Sequence, residues 1–214
     1  RGLTKYYGDI VGIEDLDLDV YPGEIMGFLG PNGAGKTTTI RTCLGFMRKT
    51  AGDVKIFGMD SHKDSVEIKR NVGYLPGDFG MIPGFKVRTF LKYLLSLSGI
   101  RSEKKMNYIG EILDLEFDKK IKQLSKGNRQ KVGLVQAFMA DQDLIILDEP
   151  TAGLDPLMQQ KFYDILREEK AKGKTIFMSS NILAEVEEVC DRVAIIKDGH
   201  LKVVEDISYL QNKM

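Results

Sequence analysis

The sequence predicts an α/β fold on a mostly parallel sheet, and three observations carry that expectation. Asp143-Leu144-Ile145-Ile146-Leu147, Thr175-Ile176-Phe177-Met178 and Arg192-Val193-Ala194-Ile195-Ile196 are apolar without alternation, as strands covered on both faces are. Between the first two, residues 157–169 follow an amphipathic helical period, which makes a strand–helix–strand crossover. A fourth apolar run, Glu24-Ile25-Met26-Gly27-Phe28-Leu29, follows the Pro22-Gly23 turn signal and leads into a glycine-rich loop.

The elements follow in order. Leu3-Thr4-Lys5-Tyr6 reads as a strand close behind Arg1, and a further strand is expected to precede it. Leu16, Leu18 and Val20 alternate with Asp17 and Asp19, the period of a half-exposed strand. With Val54-Lys55-Ile56-Phe57 these predict a small antiparallel sheet beside the main one. Residues 39–47 place Ile40, Cys43, Leu44 and Met47 on one helix face. Val72-Gly73-Tyr74-Leu75-Pro76 is a short strand stopped by its proline. Residues 77–85 are loop-like, 87–98 are apolar at helical spacing, and 108–115 give a second helix. Residues 77–123 are therefore expected to form a helical subdomain inserted into a core of 1–76 and 124–214, all within one domain. Residues 129–140 predict another helix, and Asp198-Gly199 a hairpin turn into Leu201-Lys202-Val203-Val204.

Composition narrows the function. The chain of 214 residues has a formal net charge of zero, which gives no basic field for nucleic acid, and none is expected as a partner. No window has the roughly 18 uninterrupted apolar residues of a spanning helix. Cys43 and Cys190 sit in apolar patterns without metal-ligand spacing and read as reduced core thiols.

The loop Gly30-Pro31-Asn32-Gly33-Ala34-Gly35-Lys36-Thr37-Thr38 sits between a strand and a helix, the context in which this pattern cradles phosphates. Glycines let the backbone curl so that successive N–H groups face phosphate oxygens, and the helix N-terminus adds partial positive charge. Lys36 supplies a point charge for the β- and γ-phosphates, and the Thr37 hydroxyl suits Mg²⁺. Downstream, Asp148-Glu149 closes a buried strand, at the carboxyl edge where open α/β sheets bind ligands. Asp148 suits Mg²⁺, and Glu149 suits orienting or deprotonating a water. Leu124-Ser125-Lys126-Gly127-Asn128 precedes a helix and makes a second phosphate-binding end. One nucleotide needs one cradle, so a second cradle points to the nucleotide of another subunit.

The order of phosphate loop, L-S-x-G-x segment, I-L-D-E-P strand end and G-L-D resembles the nucleotide-binding domain of ABC transporters over essentially the whole chain. The loop and Asp148-Glu149-Pro150-Thr151-Ala152-Gly153-Leu154-Asp155-Pro156 look most like the branch serving ABC-2-type exporters. That resemblance implies an ATPase using ATP and Mg²⁺, peripheral on the cytoplasmic face of the membrane and paired with a transmembrane permease. It also implies a head-to-tail dimer, with an identical or paralogous ATP-binding subunit, in which Ser125, Gly127 and Asn128 reach the other subunit's ATP. Tyr7 matches the adenine-stacking aromatic, with Tyr6 its rival, and Asp155 matches the aspartate of the G-L-D.

Three positions depart from the family pattern. The signature segment has Lys126 and Asn128 where glycine and glutamine are usual. Gly77 stands where a glutamine usually touches Mg²⁺ and water, with Asp78 next as the substitute. Ser179-Ser180-Asn181 stands where a histidine usually follows the serines, and an amide cannot carry that positive charge. Slowed turnover follows as an expectation. The alternatives are an ATP-gated dimer clamp that turns over slowly, and an ABC ATPase unconnected with transport.

Overall fold

The computed structural model describes residues 1–78 and 80–211; Phe79 of the predicted 77–85 loop lies outside them. The main sheet runs β10 (His200–Asp206), β9 (Arg192–Lys197), β3 (Ile25–Leu29), β8 (Thr175–Ser180), β7 (Leu144–Asp148), β6 (Val72–Leu75). All neighbours pair in parallel except β10, which runs antiparallel to β9.

The unbroken apolar runs have a direct cause. Ile25, Ile145, Leu147, Ile176, Met178 and Val193 belong to one core cluster, whereas Met26, Phe28, Ile146, Phe177, Ala194 and Ile196 belong to another. Successive side chains on one strand thus enter opposite cores, and both faces are dry. The first core is closed by α3 (Val87–Leu97), α4 (Lys104–Ile112), α5 (Lys126–Phe138), α6 (Pro156–Ala171) and α7 (Leu183–Val189). The second packs under α1 (Lys36–Cys43) and α2 (Ser65–Arg70), with β1 (Leu3–Tyr7) and β2 (Ile10–Leu16) beside them.

Several predicted elements shift. The strand expected at 16–20 is instead β2, ending at Leu16, and residues 17–20 have no strand partner. Leu18 and Val20 still pack on the core while Asp17 takes the Gly2 amide at 2.8 Å, so the alternation reports burial and not pairing. The single small sheet expected here is two: β1 with β2, and β4 (Lys55–Ile56) with β5 (Met59–Asp60). Helix α1 starts earlier and stops earlier than predicted. Its end is set at Gly45, φ +68, whose neighbour Phe46 returns its amide to Arg41 O at 2.9 Å. α5 likewise starts three residues before its predicted position, because Ser125 caps it.

The segment between β6 and α5 carries α3 and α4, tied back to α6 by charge. Lys105 Nζ lies 2.6 Å from both Glu169 Oε2 and Asp141 Oδ1, and Glu169 is fully buried. A buried carboxylate needs such partners to remain ionised.

Candidate functional site

The strand register brings the predicted residues to one edge. Leu29 stands opposite Ser180, Asp148 opposite Ser179 and Leu75 opposite Leu147, so the loop, Asn181, Glu149 and Gly77 all leave the same end of the sheet. This is the carboxyl edge at which doubly wound sheets bind ligands.

At the loop, the Gly30 amide donates to Ser180 O at 3.1 Å, and Ala34 N returns to Pro31 O at 3.1 Å. Gly33 and Gly35 have φ of +80° and +109°. A Cβ on Gly35 would stand 2.7 Å from both Gly12 O and Ile13 Cγ2, so this position needs glycine twice over. Gly35 is also the N-cap of α1, with no side-chain cap and no acid in the first turn. The first-turn amides are therefore donors for an anion.

Lys36 is buried, with Nζ 2.7 Å from Gly30 O, 3.2 Å from Pro31 O and 3.4 Å from Glu149 Oε1. One cation thus joins the loop to the strand-end carboxylate. Thr37 and Thr38 are half-buried behind it, and Tyr7 Oη approaches Thr38 Oγ1 at 3.3 Å. Tyr7 is 42% exposed and its ring lies beside the loop's helix, whereas Tyr6 is engaged by Glu14. Of the two tyrosines, Tyr7 is the one that reaches Thr38, and Lys5 Nζ stands 5.3 Å from its ring centroid.

Asp148 is fully buried. Its Oδ1 accepts from Ser179 Oγ at 2.6 Å, while Oδ2 has no partner among the described residues. A buried carboxylate oxygen without a donor suits a cation, and a hard ion that keeps most of its waters needs few protein ligands. Asp148 and the Thr37 hydroxyl would hold Mg²⁺, which when bound would neutralise charge on the phosphates. Gly77 lies against the same oxygen: a Cβ there would stand 3.1 Å from Oδ2. Asp78 follows it on the exposed side. Asn181 Nδ2 donates to Asn32 Oδ1 at 3.3 Å, so the amide in the histidine's place reaches the loop.

Ser125 is the N-cap of α5 and accepts from Asn128 N at 3.2 Å. Gly127 is half-buried and packs so close to Gly153 that a Cβ would stand 2.5 Å from Gly153 O, and Asn128 Nδ2 donates to Glu116 Oε1 at 3.4 Å. Asp155 caps α6, accepting from Met158 N at 3.0 Å. Neither thiol belongs to the site: burial pushes the Cys43 thiol up to about 12 and raises that of Cys190 as well.

Three site residues escape the sequence reading. Ser179 accepts the Glu149 amide at 3.0 Å besides donating to Asp148. Gln130 Nε2 donates to Glu149 O at 3.2 Å and to Pro150 O at 2.8 Å. Glu185, also buried, accepts from Thr151 Oγ1 at 2.6 Å and Ser180 Oγ at 2.5 Å, joining the segment after Glu149 to the end of β8. The signal available for Gln130 was a polar residue on the apolar face of α5, in register with Leu134 and Ala137.

Residues 13–152 match the protein-family model described as ABC transporter. The chain belongs to the ABC transporter family. It is 40% identical, over 97% of its length, to an uncharacterized ABC transporter ATP-binding protein of Methanocaldococcus jannaschii, 78% of which it covers. It is 37% identical, again over 97% of its length, to the bacitracin transport ATP-binding protein BcrA of Bacillus licheniformis, 68% of which it covers. Across eight such relatives, the chain spans between 56% and 78% of their length. A solved ATP-binding subunit of an ABC transporter covers the whole chain at TM-score 0.89 and 30% identity, with 91% of that subunit matched. A dimeric bacterial ABC transporter cassette shares the fold at TM-score 0.88 and 23% identity, over 97% of both chains. The phosphate loop and the Asp148-Glu149 strand end thus belong to an ABC transporter ATP-binding domain, of a family whose members bind and hydrolyse ATP.

Proposed function

We propose that this ABC domain hydrolyses ATP to drive a separate transmembrane permease, an exporter, and does so as a head-to-tail pair enclosing two ATP molecules. The observation that carries it is the convergence on one sheet edge of the Gly35-capped helix, buried Lys36, Asp148 with its unpartnered Oδ2, and Glu149 3.4 Å from Lys36. The loop amides and Lys36 would hold the phosphates, and Tyr7 would stack on the adenine. Glu149 would take the proton of the attacking water, and Ser125, Gly127 and Asn128 would close over the γ-phosphate of the other subunit. Asp155 would lie at the seam between the two copies. The relatives named for Nod factor export support the export direction.

Residues 77–123 would form the helical subdomain that meets the permease, with 1–76 and 124–214 as core. Ile82 is exposed at the tip of its leading loop, while Met81 and Phe85 pack partly on the core. No helix among the described residues is long and apolar enough to cross a membrane, so attachment to the cytoplasmic face would run through the permease. Crosslinks from residues 80–85 to a cytoplasmic permease loop would support this docking, and crosslinks confined to β1 and β2 would refute it.

Phosphate release from Mg-ATP tests the enzymatic part: the wild-type protein should release phosphate, and Glu149→Gln should slow it about a hundredfold or more. Turnover in the variant equal to that of the wild type would overturn the role of Glu149. A second reading is favoured by the Asn181–Asn32 amide pair, which offers no positive charge near the γ-phosphate position. In that reading the pair is an ATP-gated clamp, closing on ATP and reopening slowly.

A further inference from the structure

The carboxylate proposed as base sits on an unusual piece of backbone. Glu149 has φ +51°, a left-handed conformation that residues with a Cβ adopt rarely. Such a conformation persists only where its surroundings hold it in place. Here two side chains hold it, one on each side of the residue. Ser179 Oγ accepts the Glu149 amide at 3.0 Å, and the Gln130 amide donates to Glu149 O at 3.2 Å and Pro150 O at 2.8 Å. Both side chains are buried, Ser179 completely and Gln130 to 8% exposure.

The two clamps come from different parts of the molecule. Ser179 stands at the end of β8, beside Asp148 in register. Gln130 stands on α5, little more than one turn from Ser125, whose oxygen caps that helix. Gly127, on the first turn of α5, also abuts Gly153 O, in the loop that follows Glu149. The helix that opens with the signature segment therefore bears directly on the backbone carrying Glu149.

We infer that Gln130 is a positioning residue for ATP hydrolysis: it holds the left-handed turn at Glu149, and so links the signature end of α5 to the carboxylate of its own chain. The inference rests on the proposed ATPase function and on the paired arrangement. Under that arrangement residues 125–128 meet the partner's nucleotide while Gln130 acts on the Glu149 of its own site. Engagement of one nucleotide then aligns the carboxylate for the other, through one helix and one side chain. Gln130 and Ser179 bond Glu149 through its backbone only, which leaves its carboxylate to Lys36, 3.4 Å away, and to water. Removing the Gln130 donor leaves the buried Pro150 carbonyl without that partner and Glu149 O with only the Ala152 amide at 3.2 Å, which loosens the turn. The carboxylate would then be displaced from the line of attack, at a cost in kcat and not in nucleotide affinity.

The test compares Gln130→Met, of similar length without the donor, with Gln130→Asn, which keeps an amide one methylene shorter. For each, kcat and KM for ATP are measured by phosphate release, nucleotide affinity by titration and folding by thermal melting. Gln130→Met should lower kcat about tenfold or more with KM and affinity within twofold, and Gln130→Asn should recover part of the loss. Combined with Glu149→Gln, Gln130→Met should cost nothing further, because both act on one group. Ser179→Ala, which clamps the same turn from its other side, should be non-additive with Gln130→Met and serves if that variant fails to fold. An unchanged kcat overturns the inference, as does a loss of affinity equal to the loss of kcat. So does an equal fractional loss in the wild-type and Glu149→Gln backgrounds. If the wild-type protein releases no phosphate, the ATPase reading itself has failed and the inference falls with it, so the two failures are told apart.

Discussion

Two helix N-termini are proposed to meet ATP, and they are built in opposite ways. At α1 the cap is Gly35, without a side chain, and the first turn carries no acid, so the amides are left for a ligand. Buried Lys36 adds a fixed charge there. At α5 the cap is Ser125, whose oxygen already takes Asn128 N, and the end is exposed. Under the proposed function the first would be a complete phosphate cradle within one chain. The second would be a partial one, useful when closed against something already charged. The contrast would then explain why a single chain binds ATP yet needs a second copy to hydrolyse it.

The largest effect expected falls at neither helix but at the carboxylate between them. Glu149→Gln should lower kcat by about 10²–10⁴ with ATP affinity unchanged, since it removes the base and keeps the shape. An affinity change of comparable size would mean that Glu149 holds nucleotide. Lys36→Ala comes next. It should weaken ATP binding by about ten- to a hundredfold or more, the worth of a charged hydrogen bond in a dry site, while the protein still folds with a melting temperature lowered by roughly a few degrees, because Gly30 O and Pro31 O lose their donor. A variant that titrates like the wild type would erase the distinction between the two helix ends.

Asn181→His should raise kcat by roughly tenfold with KM nearly constant, because a cation at that place acts mainly in the transition state. Gly77→Gln is the companion. Its Cβ would stand 3.1 Å from Asp148 Oδ2, a tight fit that a small shift of the loop can absorb. Acting on one water, the two substitutions should be non-additive. If neither speeds turnover, the slow clamp is the better account.

The α1 end was legible in the sequence because its chemistry is contiguous: glycines, lysine and threonine follow one another between a strand and a helix. Asp148-Glu149 was legible for the same reason. Ser179 and Gln130 were not, because what makes them matter is the parallel register of β7 and β8 and the crossing of α5 beneath residue 149. Such pairings join residues separated by 19 to 31 positions, and no local period announces them. The misplaced strand at 16–20 shows the converse. Alternation there records which side chains face the core, and an extended segment can alternate without a sheet partner.

Dimerisation on ATP tests the contrast most directly, because it asks whether the exposed α5 end finds its ligand on another chain. Glu149→Gln protein at saturating ATP, with saturation verified by titration, is followed by analytical ultracentrifugation across protein concentration. The account predicts monomer without ATP, dimer with it, and monomer again when Ser125→Arg is added while ATP still binds each chain. A protein that stays monomeric with every site filled, or a Ser125→Arg variant that dimerises as before, would contradict it.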